Sequence, residues 1–356
     1  MNLEIHVFGA DQGESILVKF PNDRWGVVDC YASSTNGSTN EALKYLKDLK
    51  VSDLAFVCLT HPHHDHYSGL KQVLDEIPTR QFWYPSVITK DRLSYITQLE
   101  KRNQKACTNE DRGEKLIDLW EKVGDLIDNS SLQVRRLSLG LDLGVESHLG
   151  GVQIVALGPS GNAAHNFEQK LKTCFQDGKI LSNKKQASIN QCSIALSLTY
   201  HNHRVVLGGD VETQGWLDLL GQQSELATSA CVVKVAHHGS KTGRCDGLWE
   251  THGRSMTSPV AVMTPFLRHR LPHRSVLDEI GRNKYLLYST SAIARGTETV
   301  DSPDRALMKL LMGDQPPTRN TTGLVSIVLP PTGDIKTSLQ GRAWQIRSSQ
   351  EPIPPT

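Results

Sequence analysis

The chain has 356 residues, of which 39 are basic and 38 acidic, for a formal net charge of +1. That balance excludes a generic basic coat for nucleic acid and leaves room only for a local positive groove. The length suits one large α/β domain or two small ones, and no uncharged apolar run reaches the ~18 residues that a membrane-spanning helix needs. Residues 1–7 lack a basic stretch followed by an apolar one, so the expectation is a protein that stays in the cytoplasm. The cysteines at 30, 58, 107, 174, 192, 231 and 245 are odd in number, scattered and without a C-x-x-C pair. They read as reduced thiols, which agrees with a cytoplasmic compartment.

In chain order, residues 5–8, 15–20 and 25–30 read as strands separated by turns, a meander expected to open the sheet at an antiparallel edge. Residues 39–49 read as an amphipathic helix, with Ala42, Leu43, Tyr45, Leu46 and Leu49 on one face and Lys44, Lys47 and Asp48 on the other. The apolar run 54–59 fits a buried strand. A helix over 70–77 and a strand over 81–85 follow. Residues 88–130 are charged and helical, an insertion that reads as a lid or substrate arm. Its Lys90, Arg92, Lys101, Arg102 and Lys105 read first as a solvated face and second as a phosphate track. Strands are predicted over 132–137 and 152–159, then a mobile polar loop over 160–188 with one short helix near 166–175. Further strands are predicted over 190–198, 203–210, 230–236, 260–264 and 324–329, with a helix over 275–280. One domain therefore spans 1–345, and 346–356 is expected to be a disordered tail.

The chemistry concentrates in Thr60-His61-Pro62-His63-His64-Asp65-His66, directly after the strand over 54–59. A lone histidine is usually a surface residue or a satisfied core residue. Four imidazoles and a carboxylate in one strand-to-helix loop are different, because protonated they repel one another and they serve no packing purpose. Imidazole and carboxylate are ligands that zinc and manganese accept. Downstream, an apolar strand ends in Gly208-Gly209-Asp210, which puts a carboxylate at a strand tip where glycines permit close backbone approach. The strand over 230–236 ends in His237-His238-Gly239-Ser240. Neighbouring side chains on an extended chain point to opposite faces, so one of His237 and His238 is expected at the metal, and spacing does not decide which. Arg268, His269, Arg270, His273 and Arg274 make a basic loop suited to phosphate, a solvated loop being the other reading. The sequence has no Gly-x-Ser-x-Gly elbow, Walker loop or dinucleotide fingerprint.

The pattern His61-x-His63-x-Asp65-His66 resembles the signature of the metallo-β-lactamase superfamily. The resemblance implies an α/β fold, an αββα sandwich, carrying the helical insertion over 88–130. It also implies His61 and His63 on one metal, Asp65 and His66 on the other, Asp210 as bridging ligand and one of His237 and His238 as the last ligand. Gly13-Glu14-Ser15-Ile16-Leu17, Val27-Val28-Asp29 and His237-His238-Gly239-Ser240 are similar to the ComEC-type competence branch, which usually has Asp where this chain has Glu14. From that likeness Asp29 orients metal-binding imidazoles, an ordinary turn aspartate being the alternative. Asn190 and Ser193 stand where other members place a further histidine, which leaves the first metal short of a protein ligand. Asp65 and His273 are expected to carry catalytic roles, Pro272-His273 being a reordered match to the branch's His-Pro element, and Arg268, Arg270, Arg274 and Ser240 are expected to contact substrate. Two divalent ions, Zn or Mn, would activate a hydroxide for a phosphodiesterase, in this branch a nuclease with nucleic acid as its partner. A small-molecule ester or lactone hydrolase of the same fold is the alternative. So is an effector of a defence-type system that a protein partner or self-association activates.

Overall fold

Strand β1 (Leu3–Gly9) shows how the chain divides its apolar side chains: Leu3, Ile5 and Val7 face a core between two sheets, and Phe8 faces a second core on the other side. A side-chain period of two dictates that division. The structure, a computed structural model, describes residues 1–9, 12–33, 39–103, 112–145, 149–181, 188–250, 259–291, 322–347 and 350–353.

The chain continues through β2 (Glu14–Lys19), β3 (Trp25–Val28), helix α1 (Glu41–Asp48), β4 (Leu54–Cys58), the one-turn α2 (His64–Tyr67), α3 (Leu70–Glu76), β5 (Gln81–Pro85), α4 (Lys90–Asn103), α5 (Arg112–Asp128) and β6 (Gln133–Leu137). Next come β7 (Asp142–Val145), β8 (Gln153–Ala156), α6 (Gly161–Cys174) and the small hairpin β9 (Phe175–Gln176) and β10 (Lys179–Ile180). They are followed by β11 (Leu196–Tyr200), β12 (His203–Leu207), α7 (Thr213–Gln223), β13 (Val232–Lys234), α8 (Asp246–Glu250), β14 (Val260–Met263), α9 (Arg274–Arg282) and β15 (Leu286–Ser289). The last strands are β16 (Gly323–Leu329), β17 (Lys336–Gln340), β18 (Trp344–Arg347) and β19 (Gln350–Ile353).

One sheet has the order β17-β16-β1-β2-β3-β4-β5-β6 and the other β19-β18-β15-β14-β13-β12-β11-β8-β7. Helices α1, α3, α4 and α5 cover the outer face of the first through Leu43, Leu46, Val73, Leu99, Leu116 and Leu119. Helices α7, α8 and α9 cover the second through Trp216, Leu219, Leu248, Val276 and Ile280. The result is the expected αββα sandwich. The first sheet is antiparallel from β17 to β3 and parallel in the run β3-β4-β5-β6, and the second is parallel in the run β12-β13-β14-β15 with antiparallel strands on both sides of it. The loops after β4, β12 and β13 all leave at carboxyl ends of these parallel runs, where α/β sheets gather their ligands.

Several expectations need correction. The opening meander is interior, because β16 pairs with β1 in the register Leu3 with Leu329, and β17 lies outside it. The inserted helices α4 and α5 are not a separate lid: Tyr95, Ile96, Leu99, Leu116, Leu119 and Val123 are buried in the main core. Of their basic residues, Lys90, Lys101 and Arg102 are exposed, as the solvated-face reading expects, while Arg92 pairs with Glu168 and Arg102 also donates to the Ile180 carbonyl; Lys105 lies outside the described residues. Residues 161–174 form a full helix, capped by the Ser160 side chain, which accepts from Ala163 N at 3.0 Å. Asn190 and Ser193 belong to a 3-10 turn at Ile189–Cys192 and its exit, and the strand starts only at Leu196. Within the expected tail, β19 pairs with β18, while residues 348–349 and 354–356 lie outside the described residues. Six cysteines are buried free thiols, as expected, and Cys107 lies outside the described residues. No helix among the described residues is long and apolar enough to cross a membrane.

Candidate metal centre

The loop after β4 is held from behind by Asp29, which follows β3 in the left-handed region at φ 55. Aspartate tolerates that conformation better than most residues. Its carboxylate accepts from Thr60 N at 2.7 Å, Thr60 Oγ1 at 2.6 Å and His66 Nδ1 at 2.7 Å. With Nδ1 so engaged, His66 turns Nε2 away from Asp29. The other rings follow the same rule. His61 Nδ1 lies 3.1 Å from Thr60 Oγ1, His238 Nδ1 donates to the Thr264 carbonyl at 2.9 Å, and His237 Nδ1 lies 3.0 Å from Thr242 Oγ1. An imidazole fixed on one nitrogen presents the other as a ligand, the usual arrangement at metal sites.

The free nitrogens converge on two carboxylates. Asp65 Oδ2 lies 3.2 Å from His238 Nε2 and 3.6 Å from His66 Nε2, and Asp210 Oδ1 lies 3.4 Å from His66 Nε2 and 3.9 Å from His238 Nε2. The separations of 3.2, 3.4 and 3.6 Å lie close to the ~3.3–3.6 Å edges of a tetrahedron about an ion with bonds of ~2.0–2.2 Å, and the 3.9 Å one is somewhat longer. His66 Nε2 and Asp210 Oδ1 are fully buried and have no hydrogen-bond partner among the described residues. Orphaned buried polar atoms are rare, and here the unmet valences point at one another. The donor set thus fits a divalent cation held by Asp65, His66, His238 and Asp210.

The second oxygen of Asp210 faces a looser group. Oδ2 lies 3.6 Å from both His61 Nε2 and His237 Nε2. His63 Nδ1 lies 2.9 Å from His61 Nε2, so these two imidazoles contact each other directly. Both His237 and His238 turn toward Asp210, where only one of them was expected to, because both residues are left-handed, at φ 51, rather than extended. Asn190 Nδ2 lies 3.2 Å from His237 Nε2, and Ser193 Oγ accepts from Asp210 N at 2.9 Å. Gly209 is required here: at φ 49, a Cβ on it would lie 2.4 Å from the Ile194 carbonyl.

Electrostatics reinforce the cage. Burial would depress the His66 imidazole, but the carboxylates of Asp210, Asp29 and Asp65 outweigh it and hold the pKa well above the ordinary value. His61 is driven well below it, by burial and by the neighbouring His66 charge. Burial would raise Asp65 and Asp210, yet the surrounding imidazoles hold both carboxyls below the usual range. A cation would replace protons that these groups otherwise compete to hold.

The remaining expected residues are placed less centrally. His273 caps α9, its Nδ1 accepting from Ser275 N at 3.1 Å, and its pKa is lowered by partial burial and by Lys241. Ser240 Oγ accepts from Thr242 N at 3.3 Å. Arg270 is exposed at φ 57, Arg274 is exposed beside Asp278, and the Arg268 side chain lies outside what is described. Sequence reasoning missed Phe266, whose ring stands edge-on to His238 at 5.2 Å, and Glu100 on α4. Glu100 Oε2 accepts from His64 N at 3.1 Å, tying the insertion to the metal loop.

Burial, with the Asp65 carboxylate adding to it, pushes the Glu100 carboxyl up to about 7. A raised carboxyl stabilises the fold fully below its unfolded pKa, and that contribution is lost as pH rises through the folded one. Metal-free protein should therefore lose stability between pH ~4.5 and ~7 on this account, by up to about 3 kcal/mol. Glu100→Gln keeps an acceptor for His64 N, so its unfolding free energy should gain on wild type by that amount as pH rises. Parallel urea-unfolding curves from pH 4.5 to 8 check this, and an unchanged difference refutes it.

Residues 8–153 match the family profile described as the metallo-beta-lactamase superfamily. No curated protein gives a significant match. Among solved structures the chain is similar to Zn(2+)-bound PqqB from Methylobacterium extorquens, at 10% identity and TM-score 0.40, covering 82% of this chain and 88% of that one. It is also similar to Tm1679, described as a metal-dependent hydrolase of the beta-lactamase superfamily, at 13% identity and TM-score 0.43, covering 84% of this chain and 100% of that one. A third likeness is to the hydrolase AbOPH, at 14% identity and TM-score 0.32, where the alignment spans 55% of either chain. The segment matched by the family profile, residues 8–153, contains the whole run His61 to His66, and the two helix-flanked sheets are consistent with the metallo-β-lactamase fold.

Proposed function

We propose that this chain is a metal-dependent hydrolase whose substrates are phosphodiesters, nucleic acid foremost. The observation that carries the hydrolase reading is the pair of orphaned, buried atoms His66 Nε2 and Asp210 Oδ1, 3.4 Å apart, with Asp65 and His238 completing the donor set. Bound there, a divalent cation would supply Lewis acidity and lower the pKa of water to ~7. Asp210, with one oxygen toward each group of imidazoles, would serve two ions, Zn or Mn, in this reading. The chain's own residues do the rest: Asp29, Thr60 and Thr264 fix which imidazole nitrogens face the centre, and Ser193 fixes Asp210.

The phosphodiester reading draws on the cations Lys241, Arg270 and Arg274, carried by two segments that meet where His273 N donates to the Gly239 carbonyl at 2.8 Å, and on the ComEC-type likeness of Glu14 to Leu17 and His237 to Ser240. Guanidinium groups recognise phosphate well. One observation favours the alternative of a small-ester or lactone hydrolase: the Phe266 ring sets an apolar surface directly against His238. A partner that lifts a lid draws no support from α4 and α5, whose apolar faces are core.

The test is metal content by elemental analysis, followed by cleavage of single- and double-stranded DNA, RNA and bis-p-nitrophenyl phosphate with Mn, Zn or Mg. Metal-dependent cleavage that disappears in Asp65→Ala is the expected result. Bound metal with turnover only on esters or lactones would transfer the proposal to the alternative. In the same assays Arg270→Ala should raise KM for phosphodiesters about tenfold with little change in kcat, the loss of one charge-assisted contact. Unchanged kinetics would return that loop to a solvated surface.

A further inference from the structure

Behind the donor cage lies a charged pair that the metal chemistry does not use directly. Lys234, the last residue of β13, and Glu14, the first of β2, are each 1% exposed and form an ion pair between the two sheets. Taking two charges out of water is costly, and apolar residues of similar size would often give an equally or more stable fold. Packing alone therefore does not explain the pair.

Its neighbours suggest what it does. Glu14 Oε2 also accepts from Thr264 Oγ1 at 2.8 Å, and that same hydroxyl lies 3.2 Å from His238 Nδ1. A hydroxyl that donates to a carboxylate has its lone pairs left to face the imidazole N–H. The Thr264 carbonyl, 2.9 Å from His238 Nδ1, fixes the tautomer with a proton on Nδ1 and a lone pair on Nε2; Glu14, by setting the direction of the Thr264 hydroxyl, adds a second acceptor at the same N–H and anchors the residue that carries both. The same carboxylate lies 3.6 Å from His238 Nδ1 and 3.9 Å from His66 Nδ1, behind one ligand from each sheet. Next to it, a Cβ on Gly13 would lie 2.7 Å from the Asp65 carbonyl, so the start of β2 packs directly on the metal loop.

We propose that Glu14, Lys234 and Thr264 form a positioning device that registers the two sheets at the metal centre, holding His238 of one sheet in line with Asp65 and His66 of the other. None of the three is a ligand; they act through His238 and the loop. The proposal rests on the metal-centre reading above.

The double variant Glu14→Gln/Lys234→Met removes both charges together, so neither is left buried and unpaired. The full-length chain, wild type and variant, is freed of metal and titrated with cobalt(II), reading the visible absorption of the bound ion alongside thermal unfolding of the metal-free protein. The expected result is a near-unchanged unfolding midpoint, cobalt affinity reduced 10- to 100-fold, the range typical of groups that orient ligands, and an altered absorption band. Wild-type affinity and spectrum in the variant would overturn the proposal alone. Failure of the wild-type chain to bind cobalt would overturn the metal-centre reading as well. Thr264→Val serves if the double variant does not fold. It replaces the hydroxyl with a methyl and keeps the Thr264 carbonyl bond to His238, and a several-fold weaker cobalt affinity is expected; unchanged affinity refutes the device.

Discussion

Asp210→Asn should abolish metal binding and hydrolysis together, with turnover falling by about 10³-fold or more. Losing one preorganised electrostatic group at an active site already costs about 10²–10³-fold, and Asp210 is the carboxylate that addresses both groups of imidazoles. Its Oδ1 faces His66 and His238, and its Oδ2 faces His61 and His237. Asparagine keeps the volume but supplies one neutral oxygen, so at most one of these faces retains a ligand, without the charge that offsets a dication. In the metal-free wild type, the surrounding imidazoles hold the Asp210 carboxyl below the usual range against the effect of burial. A lowered carboxyl contributes stability that is present above its unfolded pKa and disappears as pH falls through the folded one. Metal-free Asp210→Asn should accordingly be less stable than wild type at neutral pH, with the gap closing as acid is added. Elemental analysis, turnover and unfolding on one preparation decide the matter: wild-type metal content in Asp210→Asn would remove this residue from the ligand set.

Asp29→Ala should strike the fold and the site at once. It leaves Thr60 N, Thr60 Oγ1 and His66 Nδ1 without their shared acceptor in a fully buried place. An unsatisfied buried donor costs about 1–3 kcal/mol, so three of them should cost about 3–5 kcal/mol after partial relaxation. Alanine must also adopt φ 55, which aspartate and asparagine tolerate better. Metal affinity should drop by about 10–100-fold because His66 loses the partner that fixes its tautomer. Asp29→Asn isolates the loss of the acceptors from the backbone strain. It tolerates φ 55 and keeps Oδ1 for Thr60 N, but its amide faces Thr60 Oγ1 and His66 Nδ1, so its stability should fall between wild type and Asp29→Ala while metal affinity stays reduced. Urea unfolding with metal titration reads both quantities. An Asp29→Ala protein as stable and as metal-loaded as wild type would make Asp29 an ordinary turn residue.

The parts of this architecture that were legible in the sequence are those written locally. The apolar run before Thr60 fixes a strand, the density of imidazoles after it fixes the chemistry, and Gly208-Gly209-Asp210 places a carboxylate at a second strand tip. Lys234 was a missed signal: a lysine inside the apolar run 230–236 has to find a partner when that run is buried.

The sequence by itself therefore determined most strands and helices and the imidazole-rich loop, because side-chain periodicity and turn chemistry act over a few residues, while the αββα layering and the ligand roles were expectations from the family resemblance. Only the tertiary structure decided which distant segments meet. The pairing of Leu3 with Leu329, the burial of α4 and α5, and the meeting of Glu14 with Lys234 join residues far apart in the chain. No local propensity encodes such contacts; they follow from strand order and from how two sheets pack. The same holds at the smallest scale for His237 and His238. An extended chain would have turned one of them away, and the backbone tie from His237 N to the Gly209 carbonyl, 2.9 Å long, accompanies the left-handed turn that brings both rings to Asp210.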